Sequence, residues 1–413
     1  MHQPGSRQSE QAPPTVTRWA VLLLVALAVL MDGFDVQAMG YVAPAIVKEW
    51  GVSRDLLGPV FGAGLFGMLV GSLTLSVVAD RVGRRPVLIG ATLFFAACML
   101  VTTQVTAVPQ LVALRFVTGL GLGAIMPNAM ALAGELSPAR RRVTLMMLVS
   151  CGFTVGAVVG GFASAALIPA FGWQSVFWVG GAAPLVIAGL MVVALPESGE
   201  FASARRARHS VAALFRDGRA AVTLLLWAIN FLNLINLYFL SNWLPTIAAG
   251  AGMSTPRAVL LGTTLQVGGV IGTFAMGPLI ARSGFRAVLV PAFAVAVVSI
   301  AAIGRAGIPA PVLFAAVAVT GLCIIGGQPA VNAFAASWYP TALRATGVGW
   351  ALGVGRIGSI VGPVLGGELI RRQWTNERLF VAVAVPALLS AVLMYGVRDD
   401  GAHRGDGPST RSS

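Results

Sequence analysis

The chain has 413 residues, 57% of them hydrophobic and 10% charged, with a formal net charge of +13 and a mean hydropathy of +0.84. Soluble domains carry about 25% charged residues, so this chain cannot cover a water-facing surface and reads as a polytopic membrane protein. The positive charge is no nucleic-acid signature, because the arginines fall in short segments between apolar runs.

Residues 1–17 are polar and rich in Pro and Ser, and read as a disordered cytoplasmic tail. The apolar run that follows lacks an A-x-A cleavage site, so it is not read as a signal peptide. A spanning helix needs about 20 apolar residues. Six such stretches, near 18–43, 56–79, 87–107, 110–135, 143–167 and 174–195, make an N-terminal half over 18–195. A polar linker follows over 196–219. Six more, near 220–248, 257–280, 287–304, 311–336, 345–369 and 379–397, make a C-terminal half over 220–397, and 398–413 is a second tail. The expected fold is an all-α membrane protein, with twelve transmembrane helices in two pseudo-symmetric six-helix halves.

The first span contains LMDGFDVQAMGY, which sets Asp32 and Asp35 one helical turn apart in an apolar run. Ionisable residues inside a membrane are functional candidates, and these two share a helix face. Proton coupling requires a carboxylate that passes between charged and neutral forms. His2, His209 and His403 all lie outside the apolar runs, so carboxylates must carry any proton. The competing reading is an ion pair with Arg115 or another cation that only fixes packing.

After the second span, Asp80 with Arg81, Arg84 and Arg85 forms a charged inner loop. It reads as a latch that holds the two halves together on the cytoplasmic side and releases when they rock apart. Positive-inside topology accounts for the arginines but not for Asp80. Arg115 opens the fourth span within its apolar boundary. Arginine stays charged and binds carboxylates bidentately, so Arg115 either tunes the aspartates or receives a substrate anion. Glu135 closes that span; it pairs with Arg140, Arg141 or Arg142, or it takes part in proton release.

In the second half, Asn233 and Asn236 keep hydrogen-bonding capacity without charge. Gln328, in GGQPA, is a neutral donor and acceptor that can meet a ring hydroxyl. Arg356, in GVGRIG, is a lone cation near mid-span that suits an anionic substrate; a partnership with Glu368, Asp32 or Asp35 is the alternative. Stacking surfaces for an aromatic ring are available from Phe34, Tyr41, Phe231, Tyr238, Phe239, Trp243 and Trp350, some of which must be packing or interfacial residues.

Orientation follows the Arg and Lys distribution. With both termini cytoplasmic, the outer segments carry only Lys48, Arg54, Arg257, Arg305, Arg371, Arg372 and Arg378, and nearly all the rest lie inside. The chain also repeats at an offset of 201–202. VTGLGLGAIMPNA (117–129) matches VTGLCIIGGQPAV (319–331), Arg142 matches Arg344, and Gly156 and Gly160 match Gly358 and Gly362. Asp32 and Asp35 fall on Asn233 and Asn236, so charge is retained in one copy only. Two six-span halves of the same hand imply a pseudo-two-fold axis along the membrane normal, with a substrate site between them.

These residues resemble the major facilitator superfamily. ADRVGRRP (79–86), with Asp80, Gly83, Arg84 and Arg85, is similar to the loop signature after its second span, although Ser76 stands where Gly is usual; the resemblance implies a gating role. RFVTGLGLGA (115–124) is similar to the fourth-span signature of proton-coupled members. DGFD (32–35), YFLSNWLPT (238–246) and YPTALRATGVGWALGVGRIGSIVGP (339–363) resemble the aromatic acid:proton symporter branch, which implies a transport role for Asp32 and Asp35. The expected function is import of an aromatic carboxylate by proton symport through alternating access. Symport of another organic acid and proton-driven multidrug efflux are the alternatives. The fifth span, GFTVGAVVGG, lacks the Gly-Pro pair of the antiporter signature, which speaks against efflux. A transporter-like receptor without flux is a third class; the short tails and middle loop speak against it. No nucleophile–His arrangement, metal cluster or phosphate-binding loop is present in the sequence, so an enzyme, a cofactor and ATP drive are not expected. The expected partners are protons, a small organic anion and the lipid bilayer. The expected setting is the inner membrane, as a monomer.

Overall fold

The computed structural model describes residues 15–138, 141–195 and 211–397. Among them, twelve helices are long and apolar enough to cross a membrane. They are α1 (Thr15–Trp50), α2 (Leu57–Val82), α3 (Arg84–Thr102), α4 (Val108–Leu136), α5 (Arg142–Phe171), α6 (Gln174–Ala194), α7 (Ala220–Gly250), α8 (Thr255–Ser283), α9 (Phe285–Ile303), α10 (Ala310–Trp338), α11 (Thr341–Arg371) and α12 (Asn376–Gly396). Residues 1–14 of the first tail, the second tail, most linker residues and Arg140 lie outside the described residues; the end of the linker includes a 3-10 turn, Val211–Phe215. The first helix outruns its expected span at both ends.

Local chemistry sets the boundaries. Pro109, Pro256 and Pro311 sit in the first turns of α4, α8 and α10, where a missing N–H leaves no bond unmade. Gly83 joins α2 to α3 at φ 106°, and Gly284 joins α8 to α9 at φ 82°. Side chains resist this backbone region, and the two glycines stand 201 residues apart.

Close helix contact rests on small residues, as expected in lipid. A Cβ on Gly67, Gly71 or Gly119 would strike a backbone carbonyl across the α2–α4 contact, at Phe116, Leu120 and Gly64 respectively. Gly268, Gly272 and Gly321 make the same approach between α8 and α10, against Ala318, Leu322 and Leu265. Gly156 on α5 lies on the carbonyl of Leu30 in α1, and Gly358 on α11 lies on that of Phe231 in α7. The sequence repeat is therefore a repeat of helix contacts.

Between the halves, α5 packs on α8, α2 on α11 and α1 on α7. Gly161 meets Thr263, Gly58 meets Gly367, and Gly40 meets Ser241. Phe61 packs edge-on against Trp243, 5.2 Å between ring centres. These approaches lie toward the face that carries the turns at Gly51 and Gly252, opposite the start of α1 and the end of α12.

Candidate functional site

The middle of α1 brings both aspartates inside the bundle. Asp35 is fully buried and takes both terminal nitrogens of Arg115, at 3.0 and 3.2 Å. Gly64 on α2 lies beside the guanidinium, where an added Cβ would sit in ordinary contact, 3.5 Å from Arg115 Nε. Arg115 also borders a small cleft with Val36, Met39, Phe61, Leu65 and Asn242. Asp32, one turn back, is equally buried, yet neither carboxylate oxygen has a hydrogen-bond partner among the described residues. The charges that act on it are Arg356, from α11 in the opposite half, and Asp35.

Arg356 stands near enough to Tyr238 of α7, as well as to Asp32, for its charge to act on both. Its guanidinium makes no hydrogen bond or ion pair among the described residues, unlike that of Arg115. Gly355 beside it lets α11 close onto α7 at Leu234 and Asn230.

The position in the second half that matches the aspartates holds amides. Asn233 Nδ2 donates to Gln328 Oε1 at 2.7 Å and to the Ile324 carbonyl at 3.1 Å. Gln328 Nε2 donates to Asn230 Oδ1 at 2.9 Å and to Asn332 Oδ1 at 3.1 Å. Asn233 Oδ1 is buried without a partner. Gln37 Nε2 on α1 donates to the Ser241 carbonyl on α7 at 2.7 Å, across the two halves, and Gln266 Nε2 donates to Ser241 Oγ at 3.0 Å.

The model of the Major Facilitator Superfamily matches residues 25–272 and again 226–412, nearly the whole chain. The chain is a member of the major facilitator superfamily. Among its relatives in the superfamily, a 4-hydroxybenzoate transporter of Pseudomonas aeruginosa is 38% identical, over 93% of this chain and 94% of its own length. A gallate transporter of Pseudomonas putida is 36% identical over 93% and 92%. A 3-(3-hydroxy-phenyl)propionate transporter of Escherichia coli is 36% identical over 90% and 91%. These relatives are transporters, and so is this chain, rather than an enzyme. In fold it is similar to a bacterial homologue of the human lysosomal transporter Spinster in an inward-facing, occupied conformation, with TM-score 0.79, 17% identity, and 93% and 97% of the chains covered. It is also similar to a D-xylose–proton symporter, with TM-score 0.78, 16% identity, and 92% and 97% covered.

Within this major facilitator fold, several candidate residues stand apart from the central space. Phe34 packs on Gly160 and Gly180, inside the first half. Phe239 packs edge-on against Phe380, 6.4 Å between centres, and covers Gly366. Asn236 turns to α12; with its amide oriented to satisfy both groups, it donates to the Val383 carbonyl and accepts from the Ala387 N–H. Trp350 stacks on Trp227 at 5.7 Å, and Trp227 meets Phe215 of the linker turn. Packing demand explains each of these, since an aromatic or amide in a tight bundle is held by whichever helix lies nearest. Arg115 is also corrected as an anion receiver, because Asp35 already occupies its fork. Gln328 likewise has its own groups engaged by protein.

Arg84 pairs with Glu135 of α4, rather than Glu135 with Arg141 or Arg142. Arg85 Nη2 donates to the Val192 carbonyl of α6 at 2.7 Å. Both contacts stay within the first half and clamp its inner ends, with Gly83 making the turn between α2 and α3. The Asp80 side chain lies outside the described residues. Glu368 is held by Arg371 and Arg372, each at 2.7 Å.

Sequence reasoning missed Gln37 and Ser241, which tie the halves together, Gln266, which holds Ser241 from within the second half, and Asn230 and Asn332, which complete the amide cluster. Their signal was available: each is a polar residue inside an apolar span, and Gln37 stands two residues after Asp35.

Proposed function

We propose that this protein imports an aromatic carboxylate by proton symport, through alternating exposure of a site between its halves. The observation that carries this reading is the pair formed by Asp32 and Arg356. They are opposite charges from opposite halves that act on each other and have no bonded partner among the described residues. Burying an unpaired ion is expensive, so Asp32 is suited to an exchangeable proton, and Arg356, half-buried with its guanidinium unbonded, is open to a carboxylate. The names of the relatives supply the cargo class, an aromatic acid, which fits a single guanidinium beside Tyr238.

Asp35 and Arg115 form the fixed pair beside the site, and Asn233 and Gln328 line its second-half wall. The cytoplasmic faces of the halves, including Asp80, Gly83, Arg84, Arg85 and Glu135, adjust as the halves rock. Both termini and the linker over 196–219 face the cytoplasm, in the inner membrane, and a monomer is the working unit. The Gln37–Ser241 seal then closes the outer side.

Uptake of radiolabelled 4-hydroxybenzoate into proteoliposomes holding the purified full-length protein tests the reading. An inside-alkaline gradient should drive accumulation above the external concentration, and collapsing the gradient with an ionophore should release the label. Equilibration without accumulation would contradict symport.

A further inference from the structure

The amide cluster on α7 and α10 has no counterpart in the first half. Asn230, Gln328 and Asn332 align with Val29, Met126 and Met130 at offsets of 201 and 202. Packing of α1 with α4 therefore needs no amides at these positions, whereas in the second half the cluster's hydrogen bonds run between α7 and α10. Buried amides in a membrane mark functional surfaces when the fold does not require them.

The cluster is also incomplete in a definite way. Gln328 uses its carbonyl on Asn233 and its amino group on Asn230 and Asn332. Asn230 donates to the Leu226 carbonyl at 3.1 Å and accepts from Gln328. Asn233 has spent both amino hydrogens, and its Oδ1 is buried with no donor. Asn332 accepts from Gln328 and is half-buried, and its amino group donates to nothing among the described residues. The Asn233 acceptor and the Asn332 amino group are thus left without partners among the described residues, and Asn230 keeps one unused amino hydrogen. A hydroxyl group offers the complement of the first two, since it donates one hydrogen and accepts through its lone pairs.

The cluster also adjoins the anion anchor. Gly355 touches Asn230, the residue that Gln328 holds, and Arg356 follows it. The geometry points to a hydroxyl-recognition subsite: Asn233 Oδ1 and Asn332 Nδ2 read a ring hydroxyl on a substrate whose carboxylate is held by Arg356. This rests on the proposed function and narrows it, because the preferred cargo becomes a hydroxylated aromatic acid rather than benzoate. An unsubstituted ring would leave the Asn233 carbonyl unpaired, and such a loss discriminates strongly.

Binding of 4-hydroxybenzoate and benzoate to the purified full-length protein, followed by tryptophan fluorescence, tests this. The wild type should bind 4-hydroxybenzoate at least about tenfold more tightly than benzoate, the size expected for one buried hydrogen-bond partner. Asn233→Leu should bring the ratio of the two Kd values close to one, whatever its effect on the affinity common to both acids. Asn332→Leu, at a half-buried position that tolerates change, should lower the ratio several-fold and serves if the first variant fails to fold. A purely structural role would weaken both acids in parallel and leave the ratio intact, which would overturn the inference. A wild type that binds both acids equally would overturn it while sparing the proposed function. A wild type that binds neither acid would overturn both.

Discussion

The two halves carry the same helix contacts and opposite chemistry. On α1 and α4, the first half holds Asp32, Asp35 and Arg115, with Met126 and Met130 nearby. On α7 and α10, the second half holds Asn230, Asn233, Gln328 and Asn332, with no ionisable member. The glycine contacts that bring α2 to α4, and α8 to α10, match position for position. Duplication has thus preserved the backbone geometry, where a Cβ cannot be tolerated, and released the polar side chains to diverge. Charge stands on the side assigned to the proton, and neutral amides on the side assigned to the ring. Arg356 crosses this division, as a second-half cation acting on a first-half carboxylate.

The sharpest way to break this comparison is to separate the two aspartates. Asp35→Asn leaves Arg115 charged in the bundle with half its partner gone, and removing one member of a buried pair costs about 3–5 kcal/mol. A large fall in melting temperature in detergent is expected. Asp32→Asn removes no bond and should leave the melting temperature at or above that of the wild type. Equal losses for the two variants would show that they are not different in kind. Next in size is Arg356→Ala, which should weaken binding of 4-hydroxybenzoate about a hundredfold, as for a lost pair of charge-assisted hydrogen bonds. Arg356→Lys should recover part of it, and titration of each variant by fluorescence reads both.

The scaffold itself can be tested on both sides. Gly156→Leu and Gly358→Leu strike matching carbonyls, at Leu30 and Phe231, and overpacking of this kind costs about 1–3 kcal/mol. Both variants should lower the melting temperature by similar amounts. A loss confined to one half would mean that the halves are not equivalent as scaffolds. The smallest effect belongs to Glu368→Gln. Its partners Arg371 and Arg372 stand exposed at the end of α11, and exposed pairs contribute little. Uptake and melting temperature should stay within experimental scatter of the wild type.

Much of this architecture is legible in the sequence, because lipid forces the relation between residue and structure. Apolar runs of spanning length must be helices, and the matched Gly and Pro positions betray the duplication. Asp32, Asp35, Arg115 and Arg356 stand out because charge in a span is rare. The partners were not legible. Whether Arg115 meets Asp32 or Asp35 depends on the rotation of α1 against α4, which spacing along the chain does not reveal. Phe34 and Asn236 look like site residues, yet sit on faces of α1 and α7 that turn toward α5 and α12, which spacing alone does not reveal. The Arg84–Glu135 pair was hidden for a similar reason, since a cluster of nearby arginines on the same loop offered closer partners in sequence.

The central claim is that the unpartnered carboxylate of Asp32 carries the coupled proton. Its most direct test compares wild type and Asp32→Asn in proteoliposomes under an inside-alkaline gradient, with exchange of labelled for unlabelled substrate measured alongside. The account predicts that the variant loses gradient-driven accumulation and retains exchange. Accumulation by Asp32→Asn at the wild-type level would contradict it.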